Sequence, residues 1–185
     1  VREFSVPASY SVPDDRSCAD VIYKNAVEEP GTVAFRRRIS GGPWSDVTAA
    51  EFAEQVRAVA KGLIARGVQP GDRVALMSST RYEWQVLDFA IWTAGAATVP
   101  IYESSAAEQI QWILEDSAAV ALVVEKPNHH IAASSIRDKA PALKHLLQIE
   151  RDVDHMTGAV DLLAEEGVDI SDSVVEERLA ALRAD

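Results

Sequence analysis

Between residues 73 and 149 the chain repeats one unit: a short apolar stretch, a polar loop, then an amphipathic helix. Strands are predicted over 73–77, 97–102, 120–125 and 145–149. Between them lie helices over 81–94 (Trp84, Leu87, Ile91), 106–116 (Ile110, Ile113, Leu114) and 128–140, the last stopped by Pro141. A further helix over 51–66 precedes the series, with Phe52, Val56, Val59 and Leu63 on one face. Gly67 suits its left-handed C-terminal cap, and Pro70 and Gly71 turn the chain into the first strand. Alternation of this kind demands right-handed crossovers and a mostly parallel sheet flanked by helices on both faces. The runs Val74-Ala75-Leu76 and 120–124 lack a polar side, as strands buried on both faces must.

Three helices are expected to open with one device, Ser or Thr followed three residues later by Glu: Thr48/Glu51, Thr80/Glu83 and Ser105/Glu108. In such a capping box the hydroxyl and the carboxylate satisfy orphan N–H groups of the first turn.

Upstream, residues 18–27 suit a short helix closed by Pro30 and Gly31. An alternating stretch over 32–39, the turn Gly41-Gly42-Pro43 and a second strand over 44–47 read as a β-hairpin before the sheet. The organisation is then an irregular lead-in over 1–17, an α/β subdomain over 18–150 and an acidic helical tail over 151–185. The tail shows helical patterns over 159–166 and 174–182 without a broad apolar face, and loose packing is expected of them.

Charge narrows the function. The tail carries ten Asp and Glu against three Arg, −7 of the chain's −11. An excess this acidic argues against nucleic acid, whose binding rests on phosphate attraction. Cys18 is the one cysteine, so no internal disulfide forms and a reducing cytosol is the simplest setting. No apolar run approaches the ~20 residues a membrane helix needs, and residues 1–7 do not read as a signal peptide.

Ligands of open parallel sheets sit beyond the carboxyl ends of the strands. Those ends read Ser78-Ser79-Thr80, Glu103-Ser104-Ser105, Lys126-Pro127 and Glu150-Arg151. None carries a dinucleotide fingerprint or a Gly-x-x-x-x-Gly-Lys phosphate loop, and Asp72 stands at the wrong pole for a receiver-type module. Ser78, Ser79 and Thr80 are read as a polar loop with an N-cap rather than a phosphate cradle, for no His or paired carboxylate is near them in sequence. Arg36-Arg37-Arg38 is read as a solvated edge strand rather than an anion site, with Arg37 on the face of Phe35 and Ile39. His129 and His130 are adjacent and point apart, and His145 and His155 lack ligand company, which disfavours a metal site. Trp84, Trp92 and Trp112 are expected in the core, and Trp44 to pin the hairpin to the sheet.

Four stretches nevertheless resemble one family. Residues 44–52, Trp-Ser-Asp-Val-Thr-Ala-Ala-Glu-Phe, resemble the first motif of adenylate-forming enzymes, an aromatic strand running into Thr-x-x-Glu-hydrophobic. Residues 67–75 are similar to the Gly-x-x-x-Gly-Asp-Arg-Val turn of these enzymes. Residues 90–102 resemble their second motif, in which Ala-Gly leads into Val-Pro, and residues 110–117 resemble the helix that follows. Pro100-Ile-Tyr-Glu-Ser-Ser105 and Arg81-Tyr-Glu-Trp84 resemble the long-chain fatty-acyl-CoA ligase branch.

The resemblance implies an N-terminal fragment of a ligase that uses ATP, Mg²⁺ and CoA to convert a fatty acid to its CoA thioester through an acyl-adenylate. The family's Ser/Thr/Gly-rich phosphate loop ending in Pro-Lys-Gly does not occur, nor do its adenine-contacting motif, ribose-binding Asp or C-terminal catalytic Lys. The stretch 178–185 resembles the approach to that loop. No residue is therefore assigned a catalytic, cofactor-binding or metal-binding role, and the chain alone is expected to be inactive, without tight nucleotide binding. Its expected partners are the rest of its own polypeptide and, through an exposed apolar face, other copies of itself. A fatty-acid substrate leaves room for peripheral membrane contact, although no basic amphipathic helix supports it. The alternative is a free-standing α/β binding or interaction module without catalysis.

Overall fold

The computed structural model describes residues 3–7, 9–11, 13, 16–38, 41–150 and 158–182. The expected strand end at Ile39, the residues Arg151 and His155, and the last three residues of the tail lie outside them. In chain order the elements are α1 (Asp20–Glu28), β1 (Val33–Arg38), β2 (Trp44–Thr48), α2 (Ala49–Ala65), β3 (Arg73–Met77), α3 (Tyr82–Thr93), β4 (Ala97–Ile101), α4 (Ala107–Ser117), β5 (Ala121–Val124), α5 (Pro127–Ser135), β6 (His145–Gln148), α6 (Ala159–Glu166) and α7 (Asp172–Ala181).

Strands β3 to β6 form one parallel sheet in the order β4-β3-β5-β6. The apolar runs explain why both faces are covered. Val74 and Leu76 of β3, with Ala121 and Val123 of β5, point into a core shared with α2, α3 and α6. Ala75, Met77, Leu122 and Val124 point the other way, into a second core with Ile110 and Leu114 of α4 and Ala133 of α5. Successive strand residues face opposite sides, so a strand without a polar side needs a layer on each. Strands β1 and β2 pair antiparallel as a separate hairpin. Phe35 seats the hairpin on the first core, its ring 4.7 Å from Phe52 and 5.5 Å from Tyr82.

Helices α2 and α3 end alike. Gly67 (φ 84°) and Gly95 (φ 82°) take the left-handed cap. Val68 N–H then reaches the Leu63 carbonyl (3.1 Å), and Ala96 N–H the Ile91 carbonyl (3.0 Å). This is the six-to-one closure that turns a chain sharply out of a helix. Each turn delivers the chain to the start of a strand a few residues later.

The structure corrects several expectations. Of the three capping boxes, only Thr48/Glu51 forms, Glu51 accepting from Thr48 N–H at 2.8 Å. Helix α3 starts one residue late, at an extended Arg81, because Glu83 is engaged by Arg81 (2.7 Å) and Arg37 (3.3 Å). Charge-assisted bonds of this kind outcompete a neutral backbone donor. Helix α4 is likewise shifted: Ala106 is its N-cap and Gln109, not Glu108, accepts the cap N–H at 2.9 Å. Helix α5 stops at Ser135, where the hydroxyl donates back to the Ala132 carbonyl (2.7 Å), and a 3₁₀ turn over Arg137–Lys139 completes the span. Trp44 and Trp112 stand two-thirds exposed, so neither is core, whereas Trp84 is half-buried against the first core. The charges around them explain this: Trp44 lies opposite Arg38, and Trp112 shares an exposed helix face with Glu108 and Glu115.

The tail departs furthest from expectation, for α6 packs tightly rather than loosely. Ala159, Val160 and Leu163 are buried on α2. The cause is a pair of glycines. A side chain on Gly62 of α2 would strike the Leu163 carbonyl, and one on Gly167 would lie 2.6 Å from Gly62 N. Without Cβ atoms the two backbones approach closely, so a narrow apolar stripe suffices to dock α6. Polar pairs complete the seam: Arg66 grips Glu166 with two bonds, of 2.6 and 2.8 Å.

Gly62→Ala is therefore expected to lower the unfolding free energy by about 3 kcal/mol, at the upper end of overpacking costs. Gly31→Ala, where nothing lies within 4 Å, should change it by no more than about 0.5 kcal/mol. Paired urea unfolding curves measure both.

Candidate functional site

The carboxyl ends of β3, β5 and β6 converge on one group of ionised side chains. Glu125, directly after β5, is its centre and is only 3% exposed. Ser79 N–H, in the loop after β3, donates to its carboxylate at 2.7 Å. Arg81 lies 3.5 Å and Lys126 3.4 Å from the other oxygen. Arg81 also reaches Glu83 (2.7 Å) and Glu150 at the end of β6 (3.2 Å). Glu83 in turn holds Arg37 from the hairpin, whose guanidinium lies over the Tyr82 ring at 4.3 Å. Three strand ends, one helix start and the hairpin are thus joined through three cations and three carboxylates.

The electrostatics favour the charged forms. Burial alone would push the Glu125 carboxyl up, but the Ser79 hydrogen bonds and the Lys126 charge outweigh it and hold it down to about 2. Arg81 is held above its ordinary range: burial opposes its charge, and Glu83, Glu125 and Glu150 overcome that cost. A carboxylate this acidic is a poor general base at neutral pH. Ser78 Oγ, 3.4 Å from Glu125, instead donates to the Ser79 carbonyl at 3.0 Å. The arrangement is an ionic lock, not a nucleophile and its base.

A hollow of about 790 Å³ is lined by Arg37, Arg81, Glu83 and Glu150 of the lock, and two smaller ones lie beside it. One, of about 470 Å³, is lined by Arg36, Arg37, Arg38, Trp44, Arg81 and Glu125. The other, of about 450 Å³, lies where β3 and β4 send their helices to opposite faces; Ser78, Ser79, Thr80, Trp84, Pro100 and Tyr102 line it. Such a switch point is the general ligand crevice of open α/β sheets.

Of the residues weighed from sequence, Ser78, Ser79 and Thr80 do form the loop beyond β3, and the loop's Ser79 N–H is occupied by a carboxylate. The three arginines part company. Arg36 is exposed and paired with Asp46 at 2.9 Å, and Arg38 donates to the Gly41 and Gly42 carbonyls. Arg37 is no solvated edge residue but the hairpin's anchor. Among the described residues, His145 Nε2–H donates to the Arg66 carbonyl (2.9 Å) at the opposite pole, while His129 is buried in α5. Burial pushes the His145 imidazole down. Among the described residues, no three His, Cys, Asp or Glu side chains come together to hold a metal. The lock itself escaped the sequence reading. Its one local signal is Glu125 standing directly after the fully apolar run 121–124.

Because the folded-state pKa of Glu125 lies near 2 against an ordinary 4.5, the ionised form stabilises the fold above about pH 4.5. That contribution is lost as pH falls toward 2. Glu125→Gln should therefore unfold more easily than the parent chain above pH 5, by up to about 3 kcal/mol. The gap should close between pH 4.5 and 2 in denaturant titrations run at stepped pH.

Comparison with known proteins places the chain. The model of the AMP-binding enzyme family matches residues 22–180. The long-chain-fatty-acid–CoA ligase FadD15 of Mycobacterium tuberculosis is 45% identical over 184 residues, as is its counterpart in Mycobacterium bovis. Each match covers all of this chain and 30% of the relative, so the chain spans under a third of the length of these curated relatives. Among solved structures, the long-chain-fatty-acid-CoA ligase FadD1 of Archaeoglobus fulgidus superposes with a TM-score of 0.69 at 20% identity, over 89% of this chain and 32% of that one. The N-terminal domain of FACL13 from Mycobacterium tuberculosis gives 0.64 at 23% identity, over 83% of this chain and 35% of that one. These two likenesses carry the fold: a parallel sheet flanked by helices. With the family model matched across 159 residues and relatives at 45% identity over the whole chain, the chain belongs to the AMP-binding enzyme family.

Proposed function

We propose that this chain is the N-terminal segment of a long-chain-fatty-acid–CoA ligase and that it supplies scaffold rather than catalytic groups. The observation that carries the reading is the 45% identity to FadD15 along the full chain. In the whole ligase a fatty-acid carboxylate attacks the α-phosphorus of ATP, giving an acyl-adenylate and pyrophosphate. The thiol of CoA then displaces AMP to leave the thioester. Mg²⁺ offsets phosphate charge in the first step.

The share taken by these residues follows from the carboxyl pole. The ionic lock sets the spacing of the ends of β3, β5 and β6, and fixes the hairpin over them. It offers no activated nucleophile, and its buried carboxylate does not suit a triphosphate. The sequence contains no glycine-lined loop followed by Lys with which to grip one. ATP, Mg²⁺ and CoA are accordingly proposed as ligands of the whole polypeptide, whose remainder is the partner of this segment. In its absence the open edge of β4 favours self-association, because an unpaired edge strand is a template for another chain.

ATP–pyrophosphate exchange tests the reading. The 185-residue chain should give no exchange with any fatty acid, while the longer polypeptide that carries it should exchange with long-chain acids. Exchange catalysed by the chain alone would refute the scaffold role.

A further inference from the structure

The Glu125 carboxylate sits in the lock as a ligand sits in a site. Its Oε2 accepts from Ser79 N–H at 2.7 Å, with Ser78 Oγ 3.4 Å away. Its Oε1 has Arg81 Nη1 at 3.5 Å and Lys126 Nζ at 3.4 Å. One oxygen meets neutral donors and the other meets two cations, a set of partners that would hold a free carboxylate as well as a tethered one. A route in exists. Glu125, Ser79 and Arg81 all line the hollow of about 470 Å³, and Arg36, Arg37 and Arg38 stand on the same wall. An approach lined by guanidinium groups favours an anion.

The donors do not depend on the Glu125 side chain for their places. The N–H of residue 125 donates to the Met77 carbonyl at 2.9 Å, which ties the end of β5 to the end of β3. Ser79 stands two residues past that carbonyl, so the loop stays beside the strand whatever side chain residue 125 carries. Arg81 keeps Glu83 at 2.7 Å and Glu150 at 3.2 Å. Taking the carboxylate away would therefore leave a shaped hole, faced by a backbone N–H and two cations. Water could meet the N–H but would not replace the lost charge, and unanswered buried groups of this kind are costly.

We infer that Ser79 N–H, Arg81 and Lys126 form a carboxylate-binding cradle, and that Glu125 is its built-in occupant and keeps free anions out. The inference goes beyond the scaffold role proposed above and does not rest on it. The ligand class is a small carboxylate, of which formate and acetate are the simplest members, and the intact Glu125 side chain excludes it.

Chemical rescue tests the cradle in the 185-residue chain. Glu125→Ala deletes the carboxylate and opens the space, whereas Glu125→Gln deletes the charge and leaves the space filled. Urea unfolding is followed at neutral pH in sodium formate and in sodium chloride of equal concentration. In formate the midpoint of Glu125→Ala should climb toward that of the parent chain and level off, because a ligand of the folded state stabilises it by mass action. Chloride, a single centre in place of two oxygens, should not produce this saturating rise. The parent chain and Glu125→Gln report the general effect of each salt on stability, and neither should show the saturating part. Adding Arg81→Gln to Glu125→Ala should abolish most of the formate response. If Glu125→Ala does not fold in chloride, the same titration reads refolding by circular dichroism, and formate should restore the helical signal where chloride does not. A Glu125→Ala chain that gains no more from formate than from chloride would overturn the assignment. So would an equal formate response in Glu125→Gln, or a full response that survives Arg81→Gln.

Discussion

A parallel α/β layer brings its helices to an end where its strands begin. The negative ends of the helix dipoles therefore collect at the amino pole of the sheet, and something must answer them. Among the described residues three side chains do so. Arg73 donates to the Ser117 carbonyl (2.6 Å) and the Ala118 carbonyl (3.3 Å) at the end of α4. His145 meets the Arg66 carbonyl at the end of α2, and Arg178 donates to the Ala94 carbonyl that caps α3 and to the Val68 carbonyl in the turn after α2. Two of the three come from strand starts, so the residues that begin β3 and β6 also close the helices beside them. The carboxyl pole is complementary. Helix starts are positive, and there Glu125 and Glu83 lie among Ser79 N–H, Arg81 and Arg37. Between the poles β5 and most of β3 are apolar on both faces.

The acidic tail fits the same logic. Two of its carboxylates are paired within the chain. Glu166 is held by Arg66, and Asp172 by Lys61 with Arg57 at 3.9 Å, all three cations standing on or at the end of α2. Exposed pairs of this kind add little stability singly, and the docking of α6 rests on the Gly62–Gly167 approach. The pairs decide where a helix with little apolar surface, α7, comes to rest.

Much of this was legible in the sequence because it is local. Strand and helix alternate in residue patterns a few positions wide. The apolar runs of β3 and β5 announced burial on both faces, and Gly67 with Pro70 and Gly71 announced the turn between α2 and β3. The capping boxes at Thr80 and Ser105 misled because a Ser/Thr–Glu spacing does not say what else competes for the glutamate. Glu83 is claimed by Arg37, 46 positions away. The carboxyl-pole lock was invisible for the same reason: Arg81 meets Glu125 and Glu150 across separations of 44 and 69 residues. Periodicity carries no record of such distances. The close seat of α6 was hidden too, since a glycine inside a helix pattern reads as a weakness until its neighbour is known.

The lock also bears on the scaffold role proposed for this segment. A site that handles polyphosphate needs donors left unengaged, so that they can turn to the ligand. Here Ser79 N–H, in the loop after β3, is held by a buried carboxylate, and Arg81 and Arg37 are each shared with glutamates. Freeing these groups would leave Glu125 buried without compensation, a cost of several kcal/mol that phosphate contact would deepen rather than relieve. The same pairing that makes the strand ends rigid makes them unavailable to an anion. Rigidity is what a neighbouring segment requires of its support. Support and grip place opposite demands on one set of side chains, and the pairing at this pole fits the support proposed for it.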